Sequence, residues 1–390
     1  MRTLRFEKDY HTRLLRGHRW AWRNEFDPAA LAEVIPGETV RLESRAGEFL
    51  GVGLANPLSH VVVRLLTRED RPPDETLFRA RLEEALAWRR RVRPDTGVCR
   101  LVFGESDGLP GLAVDRYGPV MVISQSVCGM EPWTPFLVDQ LGWRLQPDTI
   151  LLKNTNPLRK IEGLPLETEV ARGEWGGPVE VEHDGIRILA DCLEGRKTGL
   201  FLDHRENRRL LARLMAGGES VLDLFSYNGL WGLTLLRAGD GRAVCVDSDP
   251  RAEALATESA ARNGWTGRFE FHVAEAARFL EDSQDVFDVV VLDPPAFAKK
   301  KRYLEDALKT YRRFNTLALR RVKPGGLFAS SSCSSFVSGE MLLKVVRESA
   351  LEAGRGLQWV AEGHQALDHP VLPAMPETHY LKCLFFRVIF

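Results

Sequence analysis

Two short stretches of the chain carry residues able to do covalent chemistry. Ser330-Ser331-Ser332-Cys333-Ser334-Ser335 sets one thiol among hydroxyls, directly after the apolar run Leu327-Phe328-Ala329. Val289-Val290-Val291-Leu292-Asp293-Pro294-Pro295-Ala296-Phe297 sets an acid at the end of another apolar run. Proline has no N–H to give to a sheet ladder, so the strand stops just past the acid. A thiol facing an acid is the equipment for adding a methyl group from a donor to carbon 5 of a pyrimidine. That carbon becomes nucleophilic only when a thiolate has added to carbon 6, and an acid supports N3 as charge develops there. Cys333 is the candidate nucleophile and Asp293 the candidate acid. The covalent adduct divides one hard step into easier ones. The rival role for Cys333 is that of a small buried hydrophobe; its flanking serines and strand-end position favour the chemical role. The thiol must be partly ionised, and Lys299-Lys300-Lys301-Arg302 is a basic run able to lower its pKa.

Both residues sit at strand ends, and the surrounding pattern supplies the sheet. From about residue 185, short apolar runs alternate with helical segments. Ser220–Phe225, Ala243–Asp247, Phe269–Val273, Phe287–Leu292 and Leu327–Ser331 are expected strands, and residues near 230–238, 249–263, 303–322 and 339–352 are expected helices. That rhythm predicts a doubly wound, mainly parallel α/β sheet. Residues 1–70 hold short apolar runs punctuated by Gly and Pro, which suggest a small β-barrel. Arg71-Pro72-Pro73-Asp74 looks like a linker. Residues 76–93 have helical spacing, and strand-like runs at Leu112–Asp115, Val120–Ser124 and Thr149–Leu152 follow, so 71–184 is expected to be a central α+β domain. The third domain is then 185–390.

Val221-Leu222-Asp223-Leu224-Phe225-Ser226-Tyr227-Asn228-Gly229 is a strand and loop leading into a helix. In open α/β sheets ligands bind beyond the carboxyl ends of strands, where such loops lie. Gly229 allows close approach of backbone to a ligand. Asp247, at the end of the next strand, can accept both hydroxyls of a ribose. A dinucleotide site would carry G-x-G-x-x-G here; this loop does not, and it holds an extra acid, Asp223. An acid near a ligand with an amino-acid tail and a sulfonium charge favours S-adenosylmethionine (SAM) over NAD. Glu275, after the third strand, can reach an adenine or simply sit at a helix N-terminus. Cys245, inside a strand, is expected in the core.

The chain has 390 residues and 44% hydrophobic content, which suits two or three soluble domains. No run approaches the roughly 20 apolar residues of a membrane span, and no signal peptide is evident. The six cysteines are scattered without a CxxC pair, so no metal is expected and a reducing cytoplasm fits. The near-zero net charge hides local basic patches: Arg2, Arg5, Lys8, Arg13, Arg16, Arg19 and Arg23 against only Glu7 and Asp9, and Lys299 to Arg302. Such patches suit a polyanion such as RNA, though a solvated surface explains any one of them.

Several longer strings carry a resemblance. They are residues 100–118 (Arg-Leu-Val-Phe-Gly-Glu-Ser-Asp-Gly-Leu-Pro-Gly onward), 195–208 (Gly-Arg-Lys-Thr-Gly-Leu-Phe-Leu-Asp-His-Arg-Glu-Asn-Arg), 223–229, 293–297, 332–334, 368–371 and 376–382. In order and spacing they resemble the bacterial 23S ribosomal RNA (cytosine-C5)-methyltransferases, over nearly the whole chain. The resemblance implies an N-terminal PUA domain, a central α+β domain and a Rossmann-like class I SAM methyltransferase domain. It implies a SAM pocket lined by Asp223, Ser226, Gly229, Asp247, Glu275 and Asp293, with Phe201, Asp203 and Arg205 from the 195–208 string close by, where Lys197, Thr198 and Arg208 also lie. Arg16-Gly17-His18, with Trp20, looks like the PUA signature, so Arg16 and His18 join Lys299, Lys300 and Lys301 as expected RNA contacts. The implied partner is ribosomal RNA, naked or in an assembling subunit, and a homodimer is plausible for such an enzyme. Arg196, His204, Asn228 and Lys153-Asn154 depart from the family's more usual residues; positions 196 and 204 are more often Gln.

Other residues keep two roles open. His369 can contact RNA phosphate or cap a turn. Trp20 and Trp22 can stack bases or pack the barrel. Amino-methylating relatives commonly carry Asn-Pro-Pro-Tyr; here Asp293 and Ala296-Phe297 stand instead, which argues for ring carbon over exocyclic nitrogen, while Phe297 keeps the capacity to stack a base. An amino-group methyltransferase and a SAM-binding ribosome assembly factor are the competing functions.

Overall fold

A computed structural model describes residues 1–94, 97–298 and 300–390. Runs of β-branched and leucine residues form the first sheet, from β1 (Arg2–Arg5), β2 (Trp20–Trp22), β3 (Thr39–Glu43), β4 (Phe49–Ala55) and β5 (Val61–Thr67). Their order is β1-β3-β4-β5-β2, with β1 parallel to β3. Gly51 in β4 has φ +147°, and a Cβ there would stand 2.6 Å from both Leu65 Cδ1 and Thr67 O. Only glycine lets β5 lie so close.

Asp74 caps the helix Glu75–Val92, accepting from Leu77 N. Phe78, Leu82, Ala85 and Leu86 recur at helical spacing and form the helix's buried stripe. That stripe shares a core with residues of a second sheet, among them Leu101, Val114 and Ile123. This sheet comprises β6 (Val98–Phe103), β7 (Leu112–Tyr117), β8 (Val120–Gln125), β9 (Thr149–Asn154) and β10 (Glu167–Arg172), in the order β10-β9-β8-β7-β6. Met1–Val179, Asp191–Leu200 and Asp368–Thr378 make one compact unit containing both sheets.

Glu180–Ala190, Phe201–Leu367 and His379–Phe390 make the other unit. A hairpin of β11 (Val179–His183) and β12 (Ile186–Ala190) leads into it. Its sheet comprises β13 (Ser220–Leu224), β14 (Arg242–Asp247), β15 (Phe269–Val273), β16 (Phe287–Leu292), β17 (Val322–Ser332), β18 (Leu357–Gly363) and β19 (Lys382–Val388). The order is β15-β14-β13-β16-β17-β19-β18. The first five strands run parallel, and β19 is antiparallel to both neighbours. The chain leaves β13 toward β14 on one side and β16 on the other, which makes β13 the switch point where such sheets bind ligands.

Period-two alternation sorts the sheet's side chains. Leu222, Leu224, Val290, Leu292 and Phe328 meet Tyr311, Leu319, Leu342 and Val346 from the helices Leu304–Leu319 and Gly339–Ala353. Val221, Val289, Val291 and Ala329 meet Leu211 from the helix Arg205–Leu214 and Trp231, Leu235 and Leu236 from the helix Leu230–Arg237. Burying each such Val or Leu is worth about 1.5–3 kcal/mol. The five parallel strands and four helices expected from sequence all appear within a few residues. The helices Arg205–Leu214 and Ala276–Asp282 and the antiparallel pair β18 and β19 were not anticipated.

Candidate active site

Asp293 stands one residue beyond β16, on the face of Val289 and Val291 by alternation. Its backbone N–H reaches Leu224 O at 3.4 Å, tying the ends of β16 and β13 together. Oδ1 lies 3.1 Å from His204 Nε2 and accepts from Ser331 Oγ; Trp231 Nε1 donates to Oδ2 at 3.2 Å. The side chain still keeps 20% of its surface exposed, so a ligand can reach it. Burial alone would raise this carboxyl, but the neighbouring His204 and the hydrogen bonds from it and Ser331 outweigh burial and hold it below the usual carboxylate range. Asp293 is therefore an anion and an acceptor in the resting protein.

His204 ends the 3-10 turn Leu202–His204 that opens the helix Arg205–Leu214. Its ring lies 5.2 Å from that of Trp231. Asn207, one turn along the helix, places Nδ2 3.0 Å from His204 Nδ1 and 3.0 Å from the carbonyl of His364.

Cys333 directly follows β17, and both its neighbours are fixed. Ser332 Oγ is 2.8 Å from the buried Tyr311 hydroxyl. Ser334 Oγ donates to Ala298 O at 2.9 Å, binding the turn to the segment after Asp293. Ser334 O accepts from Lys382 Nζ at 2.5 Å. Cys333 itself is half-buried and outside any disulfide. The end of β17 thus presents Ser331 to Asp293 and, two residues later, a thiol.

The loop after β13 is strained: Phe225 and Tyr227 adopt φ of 61° and 49°, and Gly229 71°. Non-glycine residues in this region cost free energy that the surrounding fold must supply, a frequent mark of ligand sites. A Cβ on Gly229 would meet Phe269 and Ala256 at 3.2 and 3.3 Å, so the glycine serves the turn's backbone angle. Asp247, buried, accepts from Tyr227 N at 2.9 Å and Asp249 N at 3.1 Å. Asp223 is fully buried; Oδ2 accepts from Gly232 N at 3.0 Å, while Oδ1 has no partner among the described residues. Burial pushes its carboxyl up to about 8, Gly232 pulls the other way, and Asp293 and Asp247 add repulsion. Asn228 Nδ2 is likewise buried without a partner among the described residues. An orphaned acid oxygen amid other acids fits a cationic, amine-bearing cofactor.

Comparison with known proteins agrees with this geometry. A family model described as S-adenosylmethionine-dependent methyltransferase matches residues 166–387, and one described as a PUA-like domain matches residues 4–68. The chain belongs to the SAM-dependent methyltransferases. A Shewanella denitrificans protein named ribosomal RNA large subunit methyltransferase I is 36% identical, covering 96% of each chain. A protein of the same name from Cronobacter sakazakii is 32% identical over 95% of each. Among solved structures, SMU.776, described as in complex with SAH, matches with a TM-score of 0.84 over 100% of both chains at 19% identity, which speaks to the fold. SAM is this methyltransferase's cofactor. It supplies an electrophilic methyl group on sulfonium; Asp223, Asn228 and Asp247 are the residues suited to hold it.

The other expected site residues divide in two. Phe201 stands edge-on to Tyr227, with centroids 5.4 Å apart, and so packs on the loop after β13. Asp203 is buried and accepts from the Tyr380 hydroxyl at 2.6 Å. Ser226 is buried in the loop, its N–H on Val246 O at 3.1 Å. Glu275 is exposed at the start of the helix Ala276–Asp282 and makes no capping bond. Arg205, expected beside SAM, is engaged with Asp184 in the β11–β12 turn, as is Arg209. Arg208 is fully buried on His183 and the Phe201 carbonyl. Thr198 belongs to the first unit, where it donates to Asp115 at 2.6 Å.

Of the expected RNA contacts, Arg16, Lys300 and Lys301 are exposed. Lys299 lies outside the described residues. His18, expected at the RNA surface, is 6% exposed: Nε2 lies 3.5 Å from Glu377 and Nδ1 accepts from Trp20 N. Trp20 donates its indole N–H to Glu105 at 2.8 Å, which favours packing. His369 is a buried partner of Asp368, neither surface contact nor simple cap. Phe297 packs on Tyr311 and Phe314, and Cys245 is core. Sequence reasoning missed His204, Trp231, Ser331 and Lys382 as site residues, although each lies inside or beside a string singled out for other reasons.

Proposed function

We propose that this methyltransferase methylates carbon 5 of a cytosine in large-subunit (23S) ribosomal RNA through a covalent Cys333 adduct. The observation that carries the proposal is the meeting of two strand ends: Asp293, an anion held by three donors, is bonded to Ser331, two residues before the thiol. The Cys333 thiolate adds to C6, forming a C–S bond while the C5=C6 π pair moves toward C5. Asp293, with an Oδ2 direction unused by its three donors, accepts from the cytosine N4 amino group or from a protonated N3 and so fixes the ring. After the methyl group reaches C5, loss of the C5 proton to a base returns the electron pair that expels the thiolate. The names of the curated relatives support ribosomal RNA as substrate, and the PUA-like match supports residues 1–70 as the RNA-holding part, followed by a central 71–184 and a catalytic 185–390 domain. Phe297, engaged with the rings of Phe225, Tyr311 and Phe314, gives no support to an amino-methylating site.

The test is transfer of labelled methyl from SAM to 23S RNA that lacks the modification, followed by nucleoside analysis. Label in 5-methylcytidine is the expected result; label in a methylated amino group, or none, overturns the proposal.

A further inference from the structure

Lys382 opens β19, and the antiparallel register sets it opposite Ser332, the last residue of β17. Its side chain is 5% exposed. Nζ donates to Ser334 O at 2.5 Å and to Tyr380 O at 2.9 Å. Both partners are neutral, and among the described residues no carboxylate forms an ion pair with it. A buried ammonium without a counter-anion is costly. The turn that Lys382 grips is the turn that carries Cys333.

We propose that Lys382 is the positioning residue that receives the Cys333 proton and then holds the sulfur as a thiolate. The step balances within the protein: the S–H bond breaks, an N–H bond forms, and a neutral thiol–amine pair becomes a thiolate–ammonium pair. This deepens, and rests on, the assignment of Cys333 as nucleophile. Burial lowers the Lys382 ammonium to about 8, with the Cys333 charge pulling the other way, so the two groups sense each other. Among the described residues, the other titratable groups around the turn include Tyr311 from the helix Leu304–Leu319, Asp293 with His204 past β16, His379 just before β19 with its neighbour His364, and Glu362 of β18, whose carboxylate lies beside Gly339 as the Lys382 stem does. Burial raises the Tyr311 hydroxyl and lowers His379, so neither adds a competing charge near neutral pH. Among the described residues, Lys382 is built into the turn's hydrogen bonding, whereas Lys300 and Lys301 are exposed.

The test is the pH dependence of Cys333 alkylation in the full chain, read by peptide mass spectrometry. In the native protein the midpoint is expected below the ordinary thiol value of about 8.5. Lys382→Met is expected to raise it by about one unit or more, and Lys382→Arg to keep it low. A Lys382→Met midpoint equal to the native one overturns the proposal. Because removing a buried lysine can disturb folding, the reciprocal measurement uses Cys333→Ala: the Lys382 amine, followed by its acylation rate, is expected to titrate lower without the thiolate. An unmoved amine also overturns it. If methyl transfer proves independent of Cys333 while both titrations move, the nucleophile assignment fails and the ion pair stands. If transfer needs Cys333 and neither titration moves, only the ion pair fails.

Discussion

His204 gives its Nε2 hydrogen to Asp293, and Asn207 decides that it is there. The Asn207 amide nitrogen touches both the His364 carbonyl and His204 Nδ1. A donor to a carbonyl is an NH₂ group, so Nδ1 must accept and the proton must sit on Nε2. The ring is thereby held in one orientation, with Nε2 3.1 Å from Oδ1. A glutamine amide at 204 can supply the same hydrogen.

His204→Gln is therefore expected to keep kcat/KM within a few-fold. His204→Leu removes the donor, and hydrogen bonds to charged groups are worth about 1.5–3 kcal/mol. Because His204 lowers the Asp293 carboxyl, its loss raises that carboxyl, and the acid limb of the kcat/KM profile moves to higher pH. The same lowered carboxyl contributes folding stability that is present above its unfolded value of about 3.9 and lost as pH falls through the folded one; His204→Leu is expected to shrink that contribution. A pH–rate profile of the two variants decides; identical profiles contradict the assignment.

Asp223 points the other way. Its carboxyl is raised to about 8 by burial, so near neutral pH it is largely protonated before a cationic ligand arrives. SAM binding is expected to release a proton, seen in calorimetry as a heat that changes with the buffer's ionisation enthalpy. Asp223→Asn is expected to abolish the release and weaken binding roughly 10- to 100-fold. Because the folded state holds the extra proton, this group's contribution to stability without ligand declines as pH rises from about 4 toward 8. Proton uptake, or none, on binding to the native chain argues against a role for Asp223 toward the cofactor.

Gly232 begins a packing test of the same loop. A Cβ there would stand 2.6 Å from Cys245 Sγ and 3.7 Å from Asp223 Oδ2. Gly232→Ala is expected to destabilise the protein by about 1–3 kcal/mol in thermal or denaturant unfolding. Cys245→Ala in the same chain makes room and is expected to restore part of the loss. A Gly232→Ala protein with native stability contradicts the tight approach of the helix Leu230–Arg237 to β14.

How much of this was legible before the structure depends on where each signal lives. The alternation of Val221, Val289 and Val291 with Leu222, Val290 and Leu292 is local, and so is the proline stop after Asp293; both could be read directly. Cys333 and Asp293 stand out by type. Lys382 and His204 do not, because their significance comes from non-local pairing: the β17–β19 register brings Lys382 to the turn that carries the thiol, and the turn Leu202–His204 brings His204 to Asp293. Arg205 and His18 show the reverse failure. Each lies in a string rich in site residues, but spacing cannot reveal that Asp184 and Glu377 are their partners. β18 and β19 escaped notice because their run through Trp359 and Phe386 carries no turn signal of the parallel pattern.

The central claim is the bond between the Cys333 sulfur and a pyrimidine ring. Ribosomal RNA carrying 5-fluorocytosine cannot lose a proton from C5, so an enzyme that works through such a bond stalls on it. Incubated with this RNA and SAM, the native chain is expected to yield a denaturation-resistant protein–RNA complex whose linked peptide contains Cys333, and Cys333→Ala none. Native methyl-transfer rates from Cys333→Ala, or turnover by the native chain on ordinary RNA without any trapped complex on the fluorinated one, would contradict it.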